Sequence, residues 1–246
     1  MPVTLKATVN WLRSCVININ LKRNNVEAQF WLNKWQKNEI GFHLPKPHPW
    51  LVALWPQMFA QNPQAHVFLP LCGKTLDVDF FLQQGHTVTA NELSDDAVVA
   101  IFERLAIKPQ VTQWAGGKRY QAEGLIIYAG DFFTLSPSEL TSVDWVYDRA
   151  ALIALPQTMR QQYSQHLMQL CPSAQQCLIT LDYQQDLMSG PPFALSDEEV
   201  KQHYAATYSI NELKSANIIE HEPRFAKNGL PELFQRVYQL TPKLNA

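Results

Sequence analysis

A chain of 246 residues with 46% hydrophobic content has enough apolar material for one sizeable core, with room for two small ones. Twenty Lys and Arg against 22 Asp and Glu leave a net charge of −2, which argues against nucleic acid as a partner, since such binders carry a basic face. No apolar run approaches the length of a membrane span. The four cysteines (Cys15, Cys72, Cys171 and Cys177) form no C-x-x-C pair and stand at no zinc-ligand spacing from a His, so reduced thiols in a cytoplasmic protein without a metal site are expected.

The first 25 residues carry Lys6, Arg13, Lys22 and Arg23 and no acid. A targeting peptide and a basic amphipathic anchor are two readings, but no h-region or small-residue cleavage site is present. Residues 1–26 are expected to be a disordered tail or a mis-assigned start, and 27–246 a single domain. Glu27 to Lys37 places Phe30, Trp31, Lys34 and Trp35 at helical spacing, and "HPWLVALWPQMFA" continues as a helix with Pro49 near its start and Pro56 as a kink point. "HVFLPL" then reads as a buried strand. "TLDVDFFLQQG" follows as a helix, with Thr75 as N-cap, Asp77 and Asp79 at its positive end and Gly85 as its stop.

"HTVTANEL" is a second strand, and "SDDAVVAIFERLAI" a helix capped by Ser94 or Asp95. "VTQWAGGKRYQAEG" breaks the alternation as an inserted hairpin or loop turned by Gly116-Gly117. "LIIYAGD" and "VDWVYDRAA" are strands, "PQTMRQQYSQHLMQL" a helix with Pro156 at its first turn, and "QCLITLDY" another strand. "SDEEVKQHYA" carries a capping box, Ser196 with Glu199. "ANIIEHE" and "ELFQRVYQL" are the last strand candidates. This order predicts an α/β fold with a doubly wound, mainly parallel sheet and an antiparallel edge at the end.

The turn after the first strand, "VFLPLCGKTLD", carries Gly73-Lys74-Thr75, but a phosphate-binding P-loop needs a further glycine where Phe68 stands. The three-glycine dinucleotide fingerprint is absent too. What remains is strand, one-glycine turn, helix, strand, and then Glu92, 19 residues after Gly73. A carboxylate there suits both hydroxyls of an adenosine ribose, and one glycine admits a ligand without building a pyrophosphate nest. S-adenosylmethionine fits; the plain alternative is an ordinary strand-end Glu beside an ordinary turn Gly. Trp31 and Trp35 share a helix face, which alone reads as core packing. Arg149 follows a strand end beside Asp148, where an ion pair is the plain alternative. Cys72 reads as a small buried residue, because no His partner makes it a nucleophile. No His is read as a base or metal ligand.

The stretches "FWLNKWQKNEIGFH", "LPLCGKTLD", "GHTVTANELS", "YDRAAL" and "GPPF", in this order, resemble the thiopurine S-methyltransferase family, particularly its bacterial members, from about Phe30 to about Pro242. The resemblance implies a Rossmann-like class I S-adenosylmethionine-dependent methyltransferase, with a seven-stranded sheet whose last strand is antiparallel and an N-terminal helical lid. It implies that Trp35, Leu71, Glu92, Gly130, Asp131 and Arg149 bind S-adenosylmethionine, with Glu92 on the ribose and Gly130 and Asp131 near the adenine. Phe42 and Arg224 would face the acceptor, and Arg149 and Arg224 would steady a thiolate during catalysis. The implied acceptor is a small aromatic thiol, or a selenium or tellurium species; oligomeric state is not legible in the sequence, and a monomer is the default expectation. A nicotinamide-dependent dehydrogenase and a non-enzymatic nucleotide-sensing domain are the rival classes.

Overall fold

The computed structural model describes residues 28–140 and 142–243; the expected tail at 1–26 lies outside them. Cα packing divides the chain into two compact units, Met1–Gly41 and Phe42–Ala246. In the first, residues 28–36 are helical (α1), with Trp31 and Trp35 half-buried and Phe30 edge-on to Trp31 at 5.3 Å.

The second unit is an α/β layer structure. Its elements are α2 (Pro49–Met58), β1 (His66–Leu69), α3 (Asp77–Gln83), β2 (Thr87–Glu92), α4 (Asp95–Leu105), β3 (Gln110–Trp114), β4 (Gly117–Ala122) and β5 (Leu125–Gly130). There follow β6 (Trp145–Arg149), α5 (Gln157–Leu170), β7 (Gln175–Asp182), α6 (Asp197–Tyr204), β8 (Tyr208–Asn217), α7 (Pro223–Ala226) and β9 (Phe234–Pro242). The sheet has nine strands in the order β3-β4-β5-β2-β1-β6-β7-β9-β8. Pairing is parallel from β5 through β7, while β9 runs antiparallel between β7 and β8. The run from β5 to β8 is the expected seven-stranded sheet. The two additional strands are the inserted hairpin, β3 and β4, joined antiparallel to β5.

Side chains alternate across the strands, so each strand feeds two cores. Val67, Leu69, Val88, Ala90 and Ile127 pack with Phe59, Phe81 and Ile101 on the face covered by α2, α3 and α4. Phe68, Val146 and Leu178 pack with Tyr163, Leu167 and Val200 on the face covered by α5 and α6. Phe59 stacks on the fully buried Trp145 at 4.6 Å, and burying each such side chain contributes about 1.5–3 kcal/mol.

Two local expectations need correction. Thr75 stands one residue before the cap position of α3, which Leu76 holds without a side-chain bond; its hydroxyl still accepts from Asp77 N–H at 3.2 Å while also being drawn into the site described below. "ANIIEHE" is not a strand: β8 ends at Asn217, and Ile219–His221 forms a 3-10 turn. The true β8 carries Ser209, Asn211, Glu212 and Lys214, poor strand formers held by pairing with β9. Ser94 and Ser196 cap α4 and α6, accepting from the N–H groups of Ala97 and Glu199. Glu199 does not complete the capping box; its carboxylate takes Arg160 Nη1 at 2.7 Å instead.

Candidate functional site

Loop 70–76 follows β1 and turns through two left-handed residues, Leu71 (φ 45°) and Gly73 (φ 57°). The glycine takes this shape without strain, whereas Leu71 holds a conformation costly for a side chain with a Cβ. Tethers on several sides hold the turn. Cys72 N–H donates to Asn91 O at 2.9 Å, and Gly73 N–H donates to Glu92 Oε2 at 2.7 Å. Arg104 reaches over from α4 to donate to the carbonyls of Lys74 (2.8 Å) and Thr75 (3.1 Å), while also pairing with Asp79.

Glu92 ends β2 and is buried, with 5% of its surface exposed. Its Oε1 accepts from Ser94 N–H at 2.8 Å, so one carboxylate joins the turn after β1 to the start of α4. Beside it, Asn91 Nδ2 donates to both Tyr128 O and Gly130 O at 3.0 Å, tying β2 to the end of β5. Gly130 has φ 148°, and a Cβ there would stand 2.1 Å from Gly116 O. Only glycine lets the hairpin approach so closely, and Trp114 closes over it with Nε1–H donating to Ala129 O at 3.2 Å. Asp131 accepts from Phe133 N–H at 3.0 Å and caps the 3-10 turn Phe132–Thr134.

Arg149 ends β6. Its partner is Asp77 rather than its neighbour Asp148: Arg149 Nε donates to Asp77 Oδ2 at 2.7 Å, and Nη2 donates to Thr75 Oγ1 at 2.7 Å. The pair is buried, with side-chain exposures of 13% and 1%. Burial pulls the Arg149 pKa down, but Asp77 and Tyr147 outweigh it and hold it above its ordinary value. Asp77 also accepts from His48 N–H on Oδ1 at 2.7 Å, and from Thr75 Oγ1 (3.0 Å) and Tyr147 Oη (3.3 Å) on Oδ2. Sequence reasoning missed this junction. Its one visible signal was an acid at a helix start, which normally answers the helix dipole.

Three neighbouring groups are held neutral. Burial, then the Arg149 charge, lowers His48 to about 4. His43 is lowered by burial and then by Lys74, Arg104 and Arg149. Burial and the Glu92 carboxylate raise Cys72 well above an ordinary thiol, which fits an inert side chain rather than a nucleophile.

Asp148 faces the other way. It is fully buried, accepting from Tyr163 Oη at 2.7 Å and Leu152 N–H at 3.2 Å. Burial pushes its pKa up to about 6 despite those bonds. In an unfolded chain an aspartyl group titrates at about 3.9, so the folded state holds the proton more tightly. The stability from this group is therefore full below about pH 4 and lost as pH rises through about 6, by about 3 kcal/mol in all. Asp148→Asn should flatten that part of the profile. Urea midpoints of both proteins between about pH 4 and about pH 7.5 check it, and a difference that does not change with pH overturns it.

Leu71, Glu92, Gly130, Asp131 and Arg149 thus gather at the carboxyl ends of four adjacent parallel strands, β5-β2-β1-β6. Arg224 lies on α7, in the connection from β8 to β9 at the same end of the sheet, because Asn217 and Asp182 both register with Phe234. It is exposed, its guanidinium rests 4.9 Å from the Phe225 ring centroid, and it makes no ion pair among the described residues. Phe42, half-buried, begins the second unit; Trp35 belongs to the first. Among the described residues no cluster of His, Cys, Asp or Glu is arranged to hold a metal.

A profile of the thiopurine S-methyltransferase family matches residues 26–243. The chain belongs to the thiopurine S-methyltransferase family. A relative named thiopurine S-methyltransferase from Shewanella sp. (strain MR-4) is 42% identical over 219 residues, covering 89% of this chain and 100% of its own. One of the same name from Pseudomonas fluorescens (strain Pf0-1) is 37% identical over 215 residues, covering 87% and 99%. Among solved structures, the Burkholderia thailandensis 1,6-didemethyltoxoflavin-N1-methyltransferase with bound S-adenosylhomocysteine matches with a TM-score of 0.60 at 16% identity, covering 89% of each chain. That likeness concerns the fold, and it agrees with the expected Rossmann-like methyltransferase sheet. Within this thiopurine S-methyltransferase family member, no described helix is long and apolar enough to cross a membrane.

Proposed function

We propose that this chain transfers the methyl group of S-adenosylmethionine to the sulfur of small aromatic or heterocyclic thiols. The observation that carries the reading is the buried Glu92 carboxylate at the end of β2, bonded to the backbone of a one-glycine turn at the carboxyl edge of the sheet. A carboxylate there can accept from the hydroxyls of a ribose, and the one-glycine turn lacks the nest a pyrophosphate needs. Family membership and the names of the relatives support the choice of cofactor and acceptor.

When bound, S-adenosylmethionine supplies an electrophilic methyl on a sulfonium, whose leaving group is a neutral thioether. Glu92 would hold the ribose hydroxyls, Leu71 and Trp35 would flank the cofactor, and Gly130 with Asp131 would border the adenine. Phe42 would face the acceptor ring, and Arg149 and Arg224 would hydrogen-bond a thiolate; neither is a base, because a guanidinium stays protonated. The site then works mainly by alignment, which contributes up to roughly 7–11 kcal/mol in favourable cases. Residues 27–246 would act as one methyltransferase domain, as a monomer, on a small-molecule partner rather than nucleic acid or membrane. The free Cys72, Cys171 and Cys177 support a reducing, cytoplasmic setting.

The test is a product assay with S-adenosylmethionine and a panel of thiopurines, simple aromatic thiols and reduced selenium and tellurium compounds. Methylated thiol with S-adenosylhomocysteine as co-product is expected. Methyl transfer confined to the selenium or tellurium compounds would move the acceptor class. Thermal stabilisation by NAD but not by S-adenosylhomocysteine would reject the cofactor.

A further inference from the structure

Asp77 is fully buried, yet it collects donors from three separate parts of the chain: His48 at the start of α2, Thr75 in the loop after β1, and Tyr147 and Arg149 at the end of β6. Asp79, on the same first turn of α3, does the ordinary work of a helix-start acid in its outward pair with Arg104. A buried ion pair is often no more stabilising than an apolar pair of the same volume, so cohesion alone gives little reason for the Asp77–Arg149 pair. Direction gives a better one. The pair is neutral as a unit, with Arg149 Nε and Nη2 committed to Asp77 and Thr75. With Nε and Nη2 held in this way, Asp77 decides where the opposite, Nη1 edge of the guanidinium points. On the other side, Asp77 Oδ1 holds the backbone at His48, at the end of the segment that begins with Phe42 and His43.

We propose that Asp77 is a positioning residue for methyl transfer, aiming the Nη1 edge of Arg149 and anchoring segment 42–48 through one carboxylate. This rests on the reading that Arg149 and Phe42 face the acceptor. It is distinct from cofactor capture, which that reading gives to Glu92.

The variant Asp77→Asn in the full chain tests it. An amide has a single acceptor oxygen, whereas Asp77 accepts on both sides, so either His48 N–H or Arg149 Nε–H must then face an NH2 group. The expected result is a kcat for thiol methylation reduced by about tenfold to a hundredfold, with calorimetric affinity for S-adenosylhomocysteine changed by less than about threefold. Asp77→Glu, which keeps two acceptor oxygens, should lose less turnover than Asp77→Asn. If Asp77→Asn does not fold, the same split between turnover and cofactor affinity is read on Asp77→Glu. An unchanged kcat overturns the proposal, as does an equal loss of kcat and cofactor affinity, which would mark general loosening of the loop. A readout independent of turnover is the side-chain Nε–H NMR signal of Arg149, assigned by its disappearance in Arg149→Lys. It should exchange slowly in the wild type and rapidly in Asp77→Asn; equal protection in both overturns the proposal. Should the wild type methylate no thiol at all, the functional reading fails, while the Arg149 signal still decides what Asp77 holds.

Discussion

Glu92→Ala is expected to weaken binding of S-adenosylmethionine and S-adenosylhomocysteine by at least about a hundredfold. Hydrogen bonds to a charged group contribute about 1.5–3 kcal/mol each, and the ribose would offer two hydroxyls to this carboxylate. The same substitution strips acceptors from Gly73 N–H and Ser94 N–H, both at buried bonds, and each orphaned donor costs about 1–3 kcal/mol. Glu92 would therefore be a binding residue and a structural one, and the variant should lose both cofactor affinity and thermal stability. Glu92→Gln separates the two in part: it keeps the shape but offers one acceptor oxygen instead of two, so one backbone N–H faces an NH2 group. Titration calorimetry for both ligands, alongside urea unfolding, checks this. An Ala variant that binds with unchanged affinity removes the ribose assignment.

The second large effect is at Arg149. Removing the guanidinium by Arg149→Ala leaves Asp77, with 1% side-chain exposure, charged and unpaired in the interior. Breaking a buried pair from one side costs about 3–5 kcal/mol, a large share of the roughly 5–15 kcal/mol that holds a typical domain together. The variant should unfold at lower urea, and folded molecules should also transfer the methyl group more slowly in single-turnover quench experiments. The two losses come apart in the double variant Asp77→Asn with Arg149→Met. With no charge left to strand, stability should recover much of the deficit, while turnover should stay low. The single losses in stability should therefore fail to add. A single variant within about 1 kcal/mol of wild-type stability would deny the isolated-charge argument, and normal single-turnover rates would deny the role in transfer.

Much of the architecture was legible because short apolar runs such as "HVFLPL" and "QCLITLDY" alternate with capped amphipathic helices, and that alternation has few parallel-sheet solutions. The hairpin at Gly116-Gly117 was legible for the same local reason, although its joining the sheet beside β5 was not. β8 was hidden because its outward positions are polar and its strand character comes from β9, which lies later in the chain. In the site, the 19-residue spacing from Gly73 to Glu92 is local to one strand–helix–strand unit, and the sequence showed it. Asp77 and Arg149 are 72 positions apart and meet only because β1 and β6 are neighbours in the sheet. No periodicity or turn signal carries that adjacency, so the sequence offered Arg149 only its neighbour Asp148 as an ion-pair alternative to a ligand role, and Asp77 was not among the candidates.

The turn after β1 has a consequence for recognition. Its N–H groups at Cys72 and Gly73 and its carbonyls at Lys74 and Thr75 are all engaged by β2 or by Arg104. A small molecule arriving there meets a rigid shelf rather than a floppy strap that must be tamed on contact. The entropic toll of shaping that shelf falls on folding, so more of the ligand's own contact energy survives as affinity.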